Sequence, residues 1–450
     1  MRAAPARPLA SLSTRMTSAG LARPSTRLIV LLALLGAWLI VAPILYNDWT
    51  YRGGDWITVA IAGRIVDRGD ASALYTRAPG RLMVDNPLWE EEAQALRYER
   101  NLYPFIYPPL IAYALAPLAG LDLAEAKPAV LHAELVLLAL MIGLACWQWR
   151  PQWLQPAPMA LMLLLTLTSA PLHVAIACMN IHPLVLACLM LAMVAAQRNA
   201  PRLAGASLAL AIFIKVLPAV LLLYWLAQRR WASAAWCAAA LALLTMLSLG
   251  VAGLPLHLIY LDSVRDMSTH VMPSVWNKSL PALLYDIGVE DLDASAILRL
   301  VPLPDWIRVS AFLAMLAGLA AALIGARRHR DDPPADAAGM ISVFLIATLC
   351  SPNAWNHYFT ILLPAFIVWA AMAPSRRAVV AMAGVQTVLA SWPLTRFGVL
   401  LRESGWPGWA VGGEFFAGLL LVGALLIARA SRQPASRGDL PGLRERTLPA

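Results

Sequence analysis

Charged residues are scarce in this 450-residue chain: they make up 14% of it, against 60% hydrophobic residues and a mean hydropathy of +0.66. A soluble globular domain is about a quarter charged and about half apolar. The apolar residues also come in long blocks separated by short polar segments. The scarcity of charge therefore excludes an ordinary soluble enzyme and indicates an all-α, polytopic membrane protein.

Cysteine is also scarce, and the motifs of several enzyme classes are missing. The five cysteines lie in or beside apolar runs and form no CxxC pair, which indicates neither a disulfide framework nor a zinc site. The sequence has no Walker motif, no GxGxxG between a strand and a helix, and no HExxH. Soluble nucleotide binding is therefore unsupported, and we predict neither a metal nor a cofactor.

Acidic residues are outnumbered by basic ones, 26 to 35, which gives a formal net charge of +9. The arginines gather at the chain ends and in short loops, as the positive-inside rule expects of cytoplasmic segments. No basic patch interleaved with aromatic residues occurs in a soluble domain, so the charge does not indicate nucleic-acid binding. It predicts instead that both termini are cytoplasmic.

The apolar runs predict about twelve helices in one membrane domain of the cell's inner, or plasma, membrane. The first run, Leu28 to Tyr46, lacks a small-x-small cleavage site and is predicted to be an uncleaved anchor with its end outside. The first outer loop is predicted to carry helices over Gly54 to Val66, lying at the interface, and over Leu88 to Arg100. The predicted divisions are a cytoplasmic tail at 1–27, the membrane domain at 28–428, outer loops at 47–104 and 254–306, and a tail at 429–450.

The run from Ala204 to Ala227 holds Lys215 near its centre, with Pro218 just after it. One spanning helix would place basic residues on both faces of the membrane. Two short helices turning near Lys215 would keep Arg202 and Arg229 on the cytoplasmic side, and we favour that pair. A lysine in mid-membrane costs roughly 2.5–3.5 kcal/mol on insertion scales, so a functional or pairing role competes with snorkelling at a helix break.

When the cytoplasmic ends are assigned by charge, the unusual polar residues fall together on the outer side. The first outer loop supplies one carboxylate well placed as a base, Asp55, with Asp48 as the second candidate. The other segments supply cations able to hold a phosphate and groups able to line a pocket. The residues assigned to the outer side are Asp48, Asp55, Tyr107, His173, Asn180, His182, Lys278 and His357. The candidates for substrate binding are Asp48, Arg52, Tyr107, Asn180, His182, Lys215, Asn277, Lys278 and His357.

Two other classes of protein compete with a membrane enzyme. A secondary transporter or lipid-linked-glycan flippase fits an intramembrane lysine and helix breaks near Pro171, Pro183 and Pro218. A membrane scaffold or polymer-assembly subunit would leave the clustering of polar residues at one face unexplained. The two halves of the chain show no repeat, and the asymmetric outer loops favour an enzyme.

Several short motifs occur in an order and spacing that resemble a known family. They run from about Arg27 to Ala428 and include Tyr107-Pro108-Pro109, Lys215-x-x-Pro218, Asn277-x-Ser279-Leu280 and Trp355-x-His357-Tyr358. Together they resemble the GT-C glycosyltransferases, and within them glycosyltransferase family 87, whose members include polyprenyl-phosphate-mannose-dependent α-1,2-mannosyltransferases. The family usually shows Gly-Gln-x-Asn where this chain has Ala177-Cys178-Met179-Asn180.

The resemblance implies a GT-C fold and a transfer of a hexose, mannose in the family, from a polyprenyl phosphate to a glycolipid or glycan at the outer face of the membrane. A β-linked donor that gives an α product is a single inversion, which needs one carboxylate base rather than a pair. Asp55 is the expected base. The leaving phosphate is stabilised by cations, for which Lys278, His357, Lys215 and Arg52 are the candidates. Asn180, His182 and Tyr107 are expected to line the sugar pocket.

Overall fold

The computed structural model describes residues 53–432 apart from 122, 155, 290–298, 405 and 407–411, and most of these residues are helical. The predicted anchor helix, the tail at 1–27, residues 433–450 of the second tail and the candidates Asp48 and Arg52 lie outside the described residues, whereas Arg429, which was predicted to begin the second tail, is a buried residue of the last helix. The α-helices are α1 Gly54–Asp67, α2 Pro87–Ala95, α3 Pro109–Leu115, α4 Leu123–Trp149, α5 Pro156–Thr168, α6 Ala170–Cys178, α7 His182–Gln197, α8 Pro201–Ile214, α9 Val220–Ala227, α10 Trp231–Thr269, α11 Leu280–Gly288, α12 Asp305–Leu323, α13 Pro333–Cys350, α14 Leu362–Met372, α15 Arg376–Ala390, α16 Trp392–Glu403 and α17 Gly413–Ala430.

Five of these helices are long and apolar enough to cross a membrane: α4 from Ala129, α10, α12, α13 and α17. Five shorter apolar helical segments lie among them, including α7 and α8. An all-α membrane protein is thereby supported. The count of twelve helices stays a prediction, because length and composition mark only these five as spanning among the described residues.

The segment predicted to be the first outer loop, called the first outer segment below, contains both helices that the sequence predicts there. Asn86 caps α2 by accepting a hydrogen bond from the backbone N–H of Leu88 at 2.9 Å. The buried Glu92 of α2 accepts hydrogen bonds from Arg64 and Arg68 of α1. Burial disfavours ionisation of Glu92, but the hydrogen bonds from the two arginines outweigh it and lower the pKa of this carboxyl. The two helices are therefore joined by ion pairs, and the position of α1 is stabilised by these pairs as well as by packing of its apolar face.

The chain turns back at Lys215, as the preferred alternative predicts. Helix α8 ends at Ile214, Lys215 has an extended backbone (φ −141°, ψ 128°), and α9 begins five residues later. A Cβ added at Gly205, early in α8, would lie 2.5 Å from the backbone nitrogen of Cys237, early in α10. Helix α9 ends at Ala227, close in sequence to the start of α10. The start of α8 and the end of α9 therefore lie at the same end of α10, with Lys215 at the tip of a helical hairpin.

Helix α10 extends further than the sequence predicts. A second outer loop was expected from Leu254, but the chain is helical to Thr269. Gly253 interrupts the helix with a positive φ of 74°, and Pro255 then starts the second stretch, because proline fits a first helical turn. The helix is followed by a short antiparallel pair of strands, β1 His270–Val271 and β2 Val301–Pro302.

The arginine-rich loops meet at one end of the helix bundle. Asp336 of α13, which is fully buried, pairs with Arg230 at 2.9 Å and accepts hydrogen bonds from Gln197 (3.0 Å) and Gln228. Arg198 donates to Gln148 at 2.9 Å at the end of α4. Helix α7 runs from this end to His182, which a rise of about 1.5 Å per residue makes about 24 Å for its 16 residues. The arginines that the preferred topology keeps on the cytoplasmic side therefore lie at one end of the helix bundle. The predicted site, which includes His182, lies at the other end.

Candidate active site

Asp55 lies in the first turn of α1, at a helix start that is built against the end of α6. Gly53 precedes the helix with a positive φ of 89°, which only glycine adopts without strain. Its N–H donates to the carbonyl oxygen of Ala177 at 3.0 Å, and a Cβ at this position would lie 3.1 Å from the sulfur of Met179. The local sequence therefore fixes where Asp55 starts relative to the connection between α6 and α7.

Asn180, in that connection, holds the carboxylate of Asp55. Its side-chain Nδ2 donates to Asp55 Oδ2 at 2.5 Å. Its Oδ1 accepts from the backbone N–H of His182 at 2.7 Å and from Lys215 Nζ at 3.5 Å. Asn180 is 3% exposed, so its amide is oriented by protein groups rather than by solvent. This one amide connects the carboxylate, the start of α7 and the cation.

Lys215 brings its ammonium group to the same place from the tip of the α8–α9 hairpin. Nζ lies 3.5 Å from the hydroxyl of Tyr358 and 4.5 Å from the centroid of that ring, a cation–π distance. A charge on Lys215 also interacts with Asp55. The half-buried lysine that the sequence places in mid-membrane therefore has polar and aromatic partners at the helix break.

Two histidines close the cluster. His182 stacks on Tyr358 with ring centroids 4.8 Å apart, and His357 lies edge-on to both rings at 5.6 Å and 4.8 Å. His357 sits in the 3₁₀-helix Asn356–Ile361, and its Nε2 is buried with no hydrogen-bond partner in the part of the chain that the structure describes. Such an orphaned buried nitrogen is a group that a ligand can satisfy.

Burial raises the pKa of the Asp55 carboxyl above its ordinary value, while the hydrogen bond from Asn180 and the charge of Lys215 oppose that rise. A carboxylate whose pKa is raised is a stronger base once it is ionised, which suits a general base. Tyr107 is buried nearby, and burial together with the charge of Asp55 raises the pKa of its hydroxyl. Tyr107 is therefore a neutral hydroxyl beside the carboxylate, able to donate a hydrogen bond.

Two of the candidate residues lie in a second buried cluster. Lys278, one of the candidate cations for a phosphate, forms an ion pair with Glu414 of α17 at 3.3 Å, and both side chains are at most 1% exposed. Glu414 also accepts from Asn356 (2.7 Å) and Thr395 (2.9 Å). Since Asn356 adjoins His357, this second cluster supports the 3₁₀-helix that carries the histidine.

The side-chain amide of Asn277 forms hydrogen bonds with two loops. Nδ2 donates to the carbonyl oxygens of Met272 (3.2 Å) and Pro352 (3.0 Å), and Oδ1 accepts from the N–H of Ala354 at 2.9 Å. The amide therefore ties the segment after β1 to the segment after α13. A contact with substrate stays a prediction for Asn277 and for Lys278.

Sequence reasoning did not single out Glu134. This glutamate of α4 is 5% exposed, its Oε2 is buried without a hydrogen-bond partner among the described residues, and its charge interacts with Asp55. The sequence feature that could have identified Glu134 is its position as a single acidic residue inside an apolar run. Within the described residues no group of three or more His, Cys, Asp or Glu side chains is arranged to hold a metal ion.

The model of glycosyltransferase family 87 matches residues 105–352, more than half of the chain. The chain belongs to glycosyltransferase family 87. The resemblance read from the short motifs is thereby confirmed, and the protein is a membrane glycosyltransferase rather than a transporter or a scaffold. The matched region includes Tyr107, Asn180, His182 and Lys215 of the cluster described above.

Two curated relatives cover most of this glycosyltransferase. Both are described as polyprenol-phosphate-mannose-dependent alpha-(1-2)-phosphatidylinositol mannoside mannosyltransferases. The protein from Mycolicibacterium smegmatis is 27% identical over 429 residues, which cover 87% of this chain and 92% of the relative. The protein from Mycobacterium tuberculosis is 28% identical over 370 residues, which cover 75% of this chain and 81% of the relative.

Proposed function

We propose that this family 87 enzyme transfers a mannosyl group from a polyprenyl phosphate to a glycolipid acceptor of the phosphatidylinositol mannoside type. The observation that carries the proposal is the convergence of Asp55, Asn180, Lys215 and His357 at one end of the helix bundle. The donor and acceptor are those named for the two relatives. A carboxylate can serve this transfer as the base, and a cation and an imidazole nitrogen can bind the leaving phosphate.

In the proposed reaction Asp55 is the general base. Its carboxylate removes the proton of the attacking acceptor hydroxyl as the bond between that oxygen and the anomeric carbon forms. The bond between the anomeric carbon and the phosphate oxygen breaks, and polyprenyl phosphate leaves with the electron pair. A single displacement inverts the anomeric carbon, so a β-linked donor gives an α product and one carboxylate is sufficient.

Lys215 and His357 are the proposed partners of the leaving phosphate. The ammonium of Lys215 supplies positive charge where the phosphate develops its own, and a charge fixed in a site with little water acts more strongly than in bulk solution. His357 Nε2 is free to hydrogen-bond a phosphate oxygen. Asn180, Tyr107 and His182 are proposed to contact the sugar, and the scheme needs no metal or cofactor.

The charge asymmetry supports an outward-facing site. The cluster lies at the end of α7 opposite the buried Asp336–Arg230 pair and the arginine-rich loops. Because arginine-rich loops remain in the cytoplasm, the site would face the exterior or periplasm, with both termini of the chain inside. A donor with its tail in the lipid and its sugar at the outer surface would reach it there.

The test is sugar transfer by purified Asp55→Asn protein, supplied with polyprenyl-phosphate mannose and a phosphatidylinositol mannoside. We expect at least a 100-fold loss of transfer, since positioned general bases contribute about 10²–10⁴-fold. Asp67→Asn is the matched control, because Asp67 is an exposed carboxylate at the other end of the same helix. Transfer by Asp55→Asn at the rate of the control would refute the assignment of the base.

A further inference from the structure

A cleft of about 360 Å³ lies outside the cluster, between the first outer segment and the second stretch of α10. Its walls are formed by two groups of residues that are distant in sequence. The first outer segment contributes Tyr75, Arg77 and residues 104–106. Helix α10 contributes residues 262–263 and 265–267 and Thr269. The volume falls within the range of about 300–1,000 Å³ that is common for pockets binding small molecules.

Charges of both signs line the cleft in equal number. Arg77 pairs with Asp266, which is also 3.1 Å from His270. Asp262 and Arg265 are exposed, and neither their carboxylate nor their guanidinium has an ion pair or hydrogen bond to another described residue. Two carboxylates and two guanidiniums leave the lining without net charge. Such a lining suits a ligand with many hydroxyl groups, because carboxylates accept and guanidiniums donate hydrogen bonds, and it does not favour a phosphate.

Tyr75 gives the cleft a partly exposed aromatic ring. This ring lies 5.7 Å from that of Phe105, which is 1% exposed and supports it from behind. An aromatic ring provides a flat apolar surface against which the carbon-bound hydrogens of a sugar ring can pack, while polar groups nearby fix its orientation. The combination of the Tyr75 ring with paired and unpaired charged groups is therefore suited to a carbohydrate.

The cleft is connected to the catalytic cluster through Tyr107. The hydroxyl of Tyr75 donates to the carbonyl oxygen of Tyr107 at 2.8 Å, and the rings of Phe105 and Tyr107 are 5.6 Å apart. Tyr107 is close enough to Asp55 for the two groups to interact electrostatically. A ligand in the cleft would therefore contact Tyr75 and Phe105, which adjoin Tyr107 beside the proposed base.

We propose that this cleft binds the uncharged sugar portion of the acceptor, and that Asp262 and Arg265 position it for attack near Asp55. The inference rests on the proposed function, since only a glycosyl transfer requires a carbohydrate acceptor. It assigns the donor phosphate to the cluster around Lys215 and the acceptor glycan to the cleft. The two substrates would thus be recognised by separate residues.

The test is the kinetics of purified Asp262→Asn and Arg265→Ala with polyprenyl-phosphate mannose and a phosphatidylinositol mannoside. We expect the KM for the mannoside to rise about tenfold, the effect of losing a hydrogen bond to a charged group, while the KM for the donor stays within twofold. Asp305→Asn and Arg308→Ala are the matched controls, because these residues form an exposed ion pair on α12 outside the cleft. An unchanged KM for the mannoside, or a rise in the KM for the donor instead, would overturn the proposal.

A binding measurement separates failure of the cleft from failure of the proposed function. An α-1,2-linked mannose disaccharide is used as the probe, with saturation-transfer NMR as the readout. We expect contact with wild-type protein and a loss of that contact in Asp262→Asn. If wild-type protein transfers no mannose but still binds the disaccharide through Asp262, the cleft is supported and the proposed reaction is wrong. Absence of binding, or equal binding by both proteins, would overturn the cleft assignment.

Discussion

Replacing Asn180 by aspartate changes the proposed catalytic group with almost no change in shape. The substituted side chain keeps an oxygen for the N–H of His182 and for Lys215, which lie 2.7 Å and 3.5 Å from the present Oδ1. It replaces the donor that now lies 2.5 Å from Asp55 with a second carboxylate oxygen. Two carboxylates at that distance share a proton rather than both ionise.

The expected magnitude follows from the hydrogen bond that is lost. Hydrogen bonds to charged groups contribute about 1.5–3 kcal/mol, so the ionised form of Asp55 would become roughly 10- to 150-fold less favourable. The pKa of Asp55 is already raised by burial, and Asn180 now opposes that rise. A base must be ionised to act, so losing this opposition would move the acid limb of the pH–rate profile to higher pH. At pH values on the acid limb, transfer would fall by up to a similar factor.

The assay is the pH dependence of mannosyl transfer by purified wild-type, Asn180→Asp and Asn180→Ala proteins. The alanine variant also removes the hydrogen bond but adds no charge, so its acid limb should move less than that of the aspartate variant. Recovery of the aspartate variant at alkaline pH would confirm that protonation causes the loss. An acid limb at the wild-type pH in both variants would refute the assignment of Asp55 as the base. The group whose ionisation limits the rate would then be insensitive to the loss of the hydrogen bond that Asn180 donates to Asp55.

Two further predictions concern residues that the structure singles out. Glu134→Gln should retain transfer to within about tenfold, because a single inversion needs one carboxylate; a loss as large as that of Asp55→Asn would refute the single-base mechanism. Gly205→Ala should lower the melting temperature by the equivalent of about 1–3 kcal/mol, since its methyl group would meet the backbone of α10, whereas Gly250→Ala, with open space around it, should not. Equal melting temperatures of the two glycine variants would contradict close packing of α8 on α10.

The sequence was most informative where a local pattern dictates the backbone. Helix α1 follows from its apolar spacing, and the break at Lys215 follows from Pro218 and the distribution of arginines. Asp55 and Asn180 were assigned to the same side of the membrane, and Lys215 was expected to join them as a cation for the phosphate from the family resemblance. The structure brings them within hydrogen-bonding distance.

The partners of buried charges could not be predicted, because they come from distant parts of the chain. Lys278 was expected to be available to a phosphate, but Glu414, far along the chain in α17, pairs with it. Glu134 was hidden in an apolar run that gave no hint of what it would face. Helix α10 continues past Gly253 because the polar residues after Leu254 still occur at helical spacing, with proline at the start of the new stretch.

The hairpin of α8 and α9 has a consequence for how lipid substrates meet this enzyme. With 14 residues, α8 rises about 21 Å, whereas the hydrocarbon core of a bilayer is about 30 Å thick. If the arginine-rich end of α8 lies at the cytoplasmic boundary of this hydrocarbon core, Lys215 lies inside the core, about 9 Å below its opposite boundary. A phosphate held at this ammonium is drawn down to the depth of the neighbouring acyl chains, and the enzyme has to provide it with a polar surrounding there. Departure of the spent carrier would then require its phosphate to rise back to the headgroups, a step separate from the chemistry and sensitive to the thickness of the membrane.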